Sequence, residues 1–117
     1  MKDFTKLRVW KEAHQLTIKV YLVTKKFPTD EKFGLVSQLR RAASSIGSNL
    51  AEGCGRNSDK ELARFISIAQ GSAFEVRYQI MLAKDLGYLS QMEFGEIESQ
   101  LLSISRMLTS FHQTLTS

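Results

Sequence analysis

The stretch Leu62-Ala63-Arg64-Phe65-Ile66-Ser67-Ile68-Ala69-Gln70-Gly71-Ser72-Ala73-Phe74-Glu75-Val76-Arg77-Tyr78-Gln79-Ile80-Met81-Leu82-Ala83 decides the fold. Its apolar positions Leu62, Ile66, Ala69, Ala73, Val76, Ile80 and Ala83 are spaced 4-3-4-3-4-3. Alternating steps of three and four keep side chains on one face of a helix, whereas a strand needs steps of two. The stretch is therefore a helix with a heptad seam of the kind that packs knobs into holes. The same seam lies to either side of it. Val9, Ala13, Leu16, Val20, Val23 and Phe27 are spaced 4-3-4-3-4, and Phe94, Ile97, Leu101, Ile104, Leu108, Phe111 and Leu115 are spaced 3-4-3-4-3-4. A looser set, Leu35, Leu39, Ala42, Ala43, Ile46 and Leu50, fills the interval between the first two.

The punctuation between the seams sets the boundaries. Pro28 with Thr29-Asp30 ends one helix and caps the next, because proline disfavours helix before it. Gly53-Cys54-Gly55 is the second break, and Ser58-Asp59-Lys60-Glu61 reads as a capping box in which Glu61 reaches back. Gly87 marks the third stop, since glycine takes the left-handed conformation at little cost. Ser90-Gln91-Met92-Glu93 is another capping box, with Leu89 and Phe94 at hydrophobic-staple spacing. These signals predict helices at about 5–26, 30–53, 58–86 and 90–115. Their connections are short, so the expected fold is all-α, an antiparallel up-down-up-down four-helix bundle in one domain over residues 1–117.

Composition agrees with this reading. The chain of 117 residues is 43% hydrophobic and 24% charged, with one proline and seven glycines. It has no run of about 18 apolar residues to cross a membrane, and Met1-Lys2-Asp3-Phe4 has no signal-peptide core. One cysteine, Cys54, excludes an internal disulfide and fits a reducing, cytoplasmic compartment. A chain of this size buries only about two-thirds of its unfolded surface, so a partner subunit matters to its stability.

Apolar residues are left over once the seams are filled. Leu7, Trp10, His14, Ile18 and Tyr21 fall on the side of the first helix away from its seam, with Leu22 nearby. Phe74, Tyr78 and Met81 do the same on the third helix. Helices apolar on both sides cannot be covered inside one small bundle, and exposed patches of this kind mark interfaces. The expectation is a homo-oligomer with Leu7, Trp10, Ile18, Tyr21, Phe74, Tyr78 and Met81 at the subunit contacts.

Charge is uneven. Residues 1–57 hold 11 Lys/Arg against 5 Asp/Glu, while residues 58–117 hold 5 against 7, within an overall net charge of +4. Lys6, Arg8, Lys11, Lys19, Lys25 and Lys26 gather on and around the first helix. They form either a solvated face or a stripe for phosphate backbones or acidic protein surfaces. The second helix is crowded with small residues, and Ala43, Gly47 and Ala51 at intervals of four would admit another backbone. Around it, Arg40, Arg41, Asn49, Glu52, Arg56 and Glu75 read as a structural polar network that sets register. The alternative for this group is a ligand or phosphate site.

Several motifs together resemble a known bacterial family. They are Leu7-Arg8-Val9-Trp10-Lys11-Glu12-Ala13, Phe27-Pro28, Glu31-Lys32-Phe33-Gly34-Leu35, Gln38-Leu39-Arg40-Arg41-Ala42-Ala43, Ser45-Ile46, Asn49-Leu50-Ala51-Glu52-Gly53, Arg56, and Ala69-Gln70-Gly71-Ser72 with Glu75. Over roughly residues 5–113 the chain resembles the four-helix-bundle proteins encoded in intervening sequences of 23S rRNA genes, some of which carry a ribosomal-protein label. The accessory proteins of diversity-generating retroelements look like members of the same superfamily. The resemblance implies a cytoplasmic bacterial protein that assembles as a ring-shaped homopentamer. From the retroelement branch it also implies contact with RNA or DNA and with a reverse transcriptase through basic surface. It assigns no catalytic residue.

Enzyme chemistry finds little support in the residues. His14 and His112 lie on separate helices with no E-x-x-H or H-E-x-x-H pair, so no metal and no cofactor is expected. Cys54 sits near Arg56, which would lower its pKa slightly, but no histidine is positioned to activate it. Gly53-Cys54-Gly55 lacks the G-K-[ST] ending of a phosphate loop. The two remaining classes are an oligomeric nucleic-acid-binding protein using the basic surface of the first helix, and a structural or protein-interaction scaffold that binds no nucleic acid.

Overall fold

Helix boundaries follow local rules, and two of the four helices start later than the punctuation suggests. The computed structural model describes residues 2–117; Met1, where the expected N-terminal segment and domain begin, lies outside them. The Asp3 carboxylate accepts from the Thr5 amide at 3.0 Å and from its hydroxyl at 2.6 Å, which closes a short 3₁₀ turn over Phe4–Lys6. Leu7 is extended, so α1 begins at Arg8 rather than at 5 and runs Arg8–Thr24. After Pro28 a second 3₁₀ turn covers only Thr29–Glu31 before the chain bends again at Gly34. Helix α2 is Leu35–Cys54, five residues later at its start than expected. Its first turn is capped by the Glu31 carboxylate, which accepts from the Leu35 amide at 3.2 Å. Gly34 leaves that carboxylate room, since a Cβ there would lie 2.9 Å from Glu31 Oε1.

The other boundaries fall close to the expected ones. Helix α3 is Asp59–Asp85, and the Ser58 hydroxyl accepts from the Glu61 amide at 3.2 Å. The reciprocal bond from Glu61 back to Ser58 is absent among the described residues, so this cap is half a box. Gly87 has φ +82° and ends α3 in a Schellman arrangement. Its amide donates to Lys84 O at 2.9 Å, and the Tyr88 amide donates to Ala83 O at 2.8 Å. Helix α4, Gln91–Thr116, opens with a complete capping box, both Ser90–Glu93 bonds measuring 3.0 Å.

The four helices surround one continuous core, and the described residues contain no strand. Helix α1 packs on α2 and α4, and α3 packs on the same two; α1 and α3 stand diagonally with no backbone approach within 8 Å. Side-chain pairs link α2 to α3 and α3 to α4. Gln38 meets Gln79 and Ser45 meets Ser72 between α2 and α3. Gln70 meets Thr109 and Arg77 meets Glu98 between α3 and α4. All the seam residues of α1, α2 and α3 are buried, as are Phe94 to Leu108 of α4, while Phe111 and Leu115 at its end are half-buried. Gly53 of α2 faces α3 with no room for a side chain: a Cβ there would lie 2.8 Å from Phe65 Cβ and 2.9 Å from Leu62 Cδ1. The molecule measures 43 × 23 × 20 Å.

Candidate functional site

Two apolar surfaces remain uncovered, and they sit on the diagonal helices. On α1 these are Ile18, Tyr21 and Leu22; on α3 they are Phe74, Tyr78 and Met81, with Tyr78 63% exposed. The α3–α4 register also places Leu102 level with Phe74, and Leu102 is itself exposed. Helix α2 adds no large apolar residue to the surface. Of the other exposed apolar side chains, Ile68 lies on α3, while Phe33, Leu86 and Met92 lie at the end of the bundle where chain turns join α1 to α2 and α3 to α4.

Leu7 and Trp10 behave differently from the other expected contact residues, because their own chain covers half of each. Leu7 lines a groove with Met107 and Phe111. Trp10 packs edge-on against Phe4 at 5.0 Å, stacks on His14 at 5.0 Å, and lies over Gly47 of α2. A Cβ on Gly47 would stand 3.3 Å from the Trp10 indole nitrogen. The small residues of α2 thus admit an indole from α1, not the backbone that their spacing suggests. Thr17 adds to this corner, its hydroxyl donating to Ala43 O at 3.1 Å. The open groove beside it, about 350 Å³, is lined by Trp10, His14, Thr17, Ser44, Gly47 and Ser48.

The six polar residues around α2 do not join into one network within the chain. Arg40 turns to α1, donating to Thr24 Oγ1 at 2.9 Å and to Tyr21 O at 3.3 Å, and lies over the Tyr21 ring at 4.6 Å. Arg56 pairs with Glu52 one turn away at 2.8 Å and covers the Phe65 ring. Asn49 donates to Ser45, whose hydroxyl also accepts from Ser72. Arg41 and Glu75 are exposed, and their side chains have no hydrogen bond or ion pair among the described residues. The polar links between helices here are Arg40 to Thr24 and Tyr21, Ser72 to Ser45, and Gln79 to Gln38.

The basic residues of the first helix divide in a similar way. Lys19 pairs with Glu96 at 2.5 Å, and Lys26 pairs with Glu93, both on α4. Lys6, Arg8, Lys11 and Lys25 have no carboxylate partner among the described residues. The Lys26 ammonium, followed by the Ser90 amide, holds the Glu93 carboxyl below the usual carboxylate range. A further polar link went unread in the sequence: the Tyr88 hydroxyl donates to Glu31 Oε2 at 3.0 Å, which raises the phenol pKa. Only the proximity of two loops in space reveals that pair.

Nucleophile and metal chemistry gain nothing from the geometry. Burial pushes the Cys54 thiol pKa up, the opposite of the lowering expected from Arg56. His14 stacks on Trp10, while His112 lines a shallow α3–α4 groove with Gln70 and Thr109. No group of three or more His, Cys, Asp or Glu able to hold a metal occurs among the described residues. No helix there is long and apolar enough to cross a membrane.

Comparison with known proteins gives a family and a fold. A family model described as 23S rRNA-intervening sequence protein matches residues 5–110. A 1.70 Å crystal structure of a protein with unknown function, from the S23 ribosomal protein family of Bacteroides thetaiotaomicron, superposes with a TM-score of 0.83. That match covers 90% of this chain and 95% of the other at 22% identity, a likeness of fold. No curated protein matches the chain.

Proposed function

The chain belongs to the 23S rRNA-intervening sequence protein family, and from that premise we propose that it is a non-enzymatic assembly protein whose working unit is a homo-oligomer. The observation that carries this reading is the pair of apolar faces on α1 and α3, helices that stand diagonally across the bundle. A two-fold dimer through either face would leave the other bare. Joining α1 of one copy to α3 of the next covers both, and such head-to-tail contacts close into a ring when the rotation per subunit allows. The resemblance drawn from the sequence puts the ring at five copies. The subunit is then an antiparallel up-down-up-down bundle in one domain, supported by the counter-running residue pairs, and the ring serves in the cytoplasm as a scaffold that presents surfaces to a partner protein.

Light scattering across the micromolar range tests the assembly. The expected result is a stable oligomer that Ile18→Lys or Tyr78→Lys breaks into folded monomers. A wild-type protein that stays monomeric throughout overturns the reading.

A second reading, nucleic-acid binding by the same oligomer, is favoured by one observation: among the described residues Lys6, Arg8, Lys11 and Lys25 have no carboxylate partner. Lys19 and Lys26 weaken it, being neutralised by α4. Titration with structured RNA and duplex DNA at several salt concentrations separates the two. Phosphate contacts release counterions, so affinity must fall steeply with salt. Absence of binding at about 50 mM salt leaves the scaffold alone.

A further inference from the structure

Gly71 lies exposed inside the 27-residue helix α3, and a Cβ built on it meets nothing within 4 Å. Glycine weakens a helix interior relative to alanine, so it needs a reason. Gly47 and Gly53 have theirs inside the chain, in the Trp10 indole and in the Phe65 and Leu62 side chains. Gly71 has none there. Its neighbours suggest where one lies. Ser67, Gly71, Phe74, Tyr78 and Met81 are spaced 4-3-4-3, a second seam on the outer side of α3, small at one half and bulky at the other. Gly71 and Ser67 are the small positions of that seam, next to the exposed rings of Phe74 and Tyr78.

We propose that the outer seam of α3 receives the outer face of α1 from a second copy of this chain, with Gly71 as the point of closest backbone approach. This rests on the assembly reading above and adds the contact that brings the helices together. Two features select α1 as the occupant. Its outer stripe, Lys11, His14, Ile18, Tyr21 and Lys25, is spaced 3-4-3-4 and carries apolar side chains at its centre. The outer face of α2 offers no large apolar residue, and that of α4 only Met92 and Leu102. Charge is complementary as well. Lys11 and Lys25 flank the α1 stripe, Glu75 and Asp85 flank the α3 seam, and none of the four has an ion pair among the described residues. Opposed charges at the rim of a contact fix its register and exclude wrong partners.

Two glycine variants give opposite signs to a merely local role and to this one. Gly95 on α4 is also exposed with open space at its Cβ, but it lies outside the α3 seam. Gly71→Ala and Gly95→Ala, each in an Ile18→Lys background that keeps the protein monomeric, are both expected to raise the thermal midpoint. In the otherwise wild-type chain, sedimentation equilibrium is expected to show Gly71→Ala weakening association roughly tenfold, about 1.4 kcal/mol, and Gly95→Ala leaving it unchanged. If wild-type protein is itself monomeric, the assembly reading fails and this proposal with it. If wild-type protein assembles and Gly71→Ala assembles equally well, or Gly95→Ala is equally damaging, this proposal alone is overturned.

Discussion

Glycines read alike in a sequence and act through their surroundings. Gly53 sits where α2 and α3 touch, and its missing Cβ is the gap that Phe65 and Leu62 fill. Gly53→Ala must push the two helices apart, an overpacking change worth about 1–3 kcal/mol of lost stability. Urea unfolding is expected to show a lower midpoint at unchanged slope. The spacing of Ala43, Gly47 and Ala51 announced the approach of another backbone, and at Gly47 the structure places the Trp10 indole instead. What fills the space was not legible, because a period-four pattern records room without recording its occupant. Trp10 reaches Gly47 from a residue 37 positions away. Arg40 is a similar case: an arginine among carboxylates suggests ion pairs, yet a threonine hydroxyl, a carbonyl and a tyrosine ring hold it.

Helix ends show how far local chemistry reaches. The Ser90–Glu93 box was legible, because both partners lie within one turn. Ser90→Ala is expected to cost about 0.5–2 kcal/mol, measured by thermal unfolding. The starts of α1 and α2 were not legible, since each depends on a preceding 3₁₀ turn and on side chains, Asp3 and Glu31, that offer the chain a competing bond. Titration follows from the same contacts. Glu93 has a folded-state pKa below its unfolded one, so its contribution is complete above the unfolded carboxylate range and disappears as pH falls through the folded value. Glu93→Gln is therefore expected to flatten the acid limb of a stability–pH curve. Tyr88 has the opposite sign. Its raised pKa gives a contribution present below the ordinary phenol value of about 10 and lost as pH rises through the folded value. Tyr88→Phe removes that alkaline loss, and absorbance-monitored titration of the phenols checks it.

Across the whole molecule the three regular seams carried most of the information. Each of their residues is buried in the core, apart from the last two of α4, which pack against it half-buried where the bundle ends. Ile104→Ala, at a fully buried position on α4, is expected to cost about 2–5 kcal/mol. The surplus apolar residues were legible as a pattern on α1 and α3, although Leu7 and Trp10 turned out to be half-covered by their own chain. The charge reading was the least transferable, because counting lysines along α1 does not reveal that α4 places Glu93 and Glu96 beside two of them. The proposed sharing of faces between copies would also tie folding to association. The thermal midpoint is therefore expected to rise with protein concentration, whereas a concentration-independent midpoint would mark a self-sufficient subunit.

Trp10 is the sole tryptophan of the chain, and its place over Gly47, against Phe4 and stacked on His14, makes it a built-in optical probe. Its emission reports on a single corner of the molecule, where the 3₁₀ turn, α1 and α2 meet, and is silent about the α3–α4 half. Loosening of that corner alone would change the fluorescence while circular dichroism, which averages over all four helices, stayed nearly constant. The two signals followed together distinguish fraying of the first segment from collapse of the bundle, with no label attached.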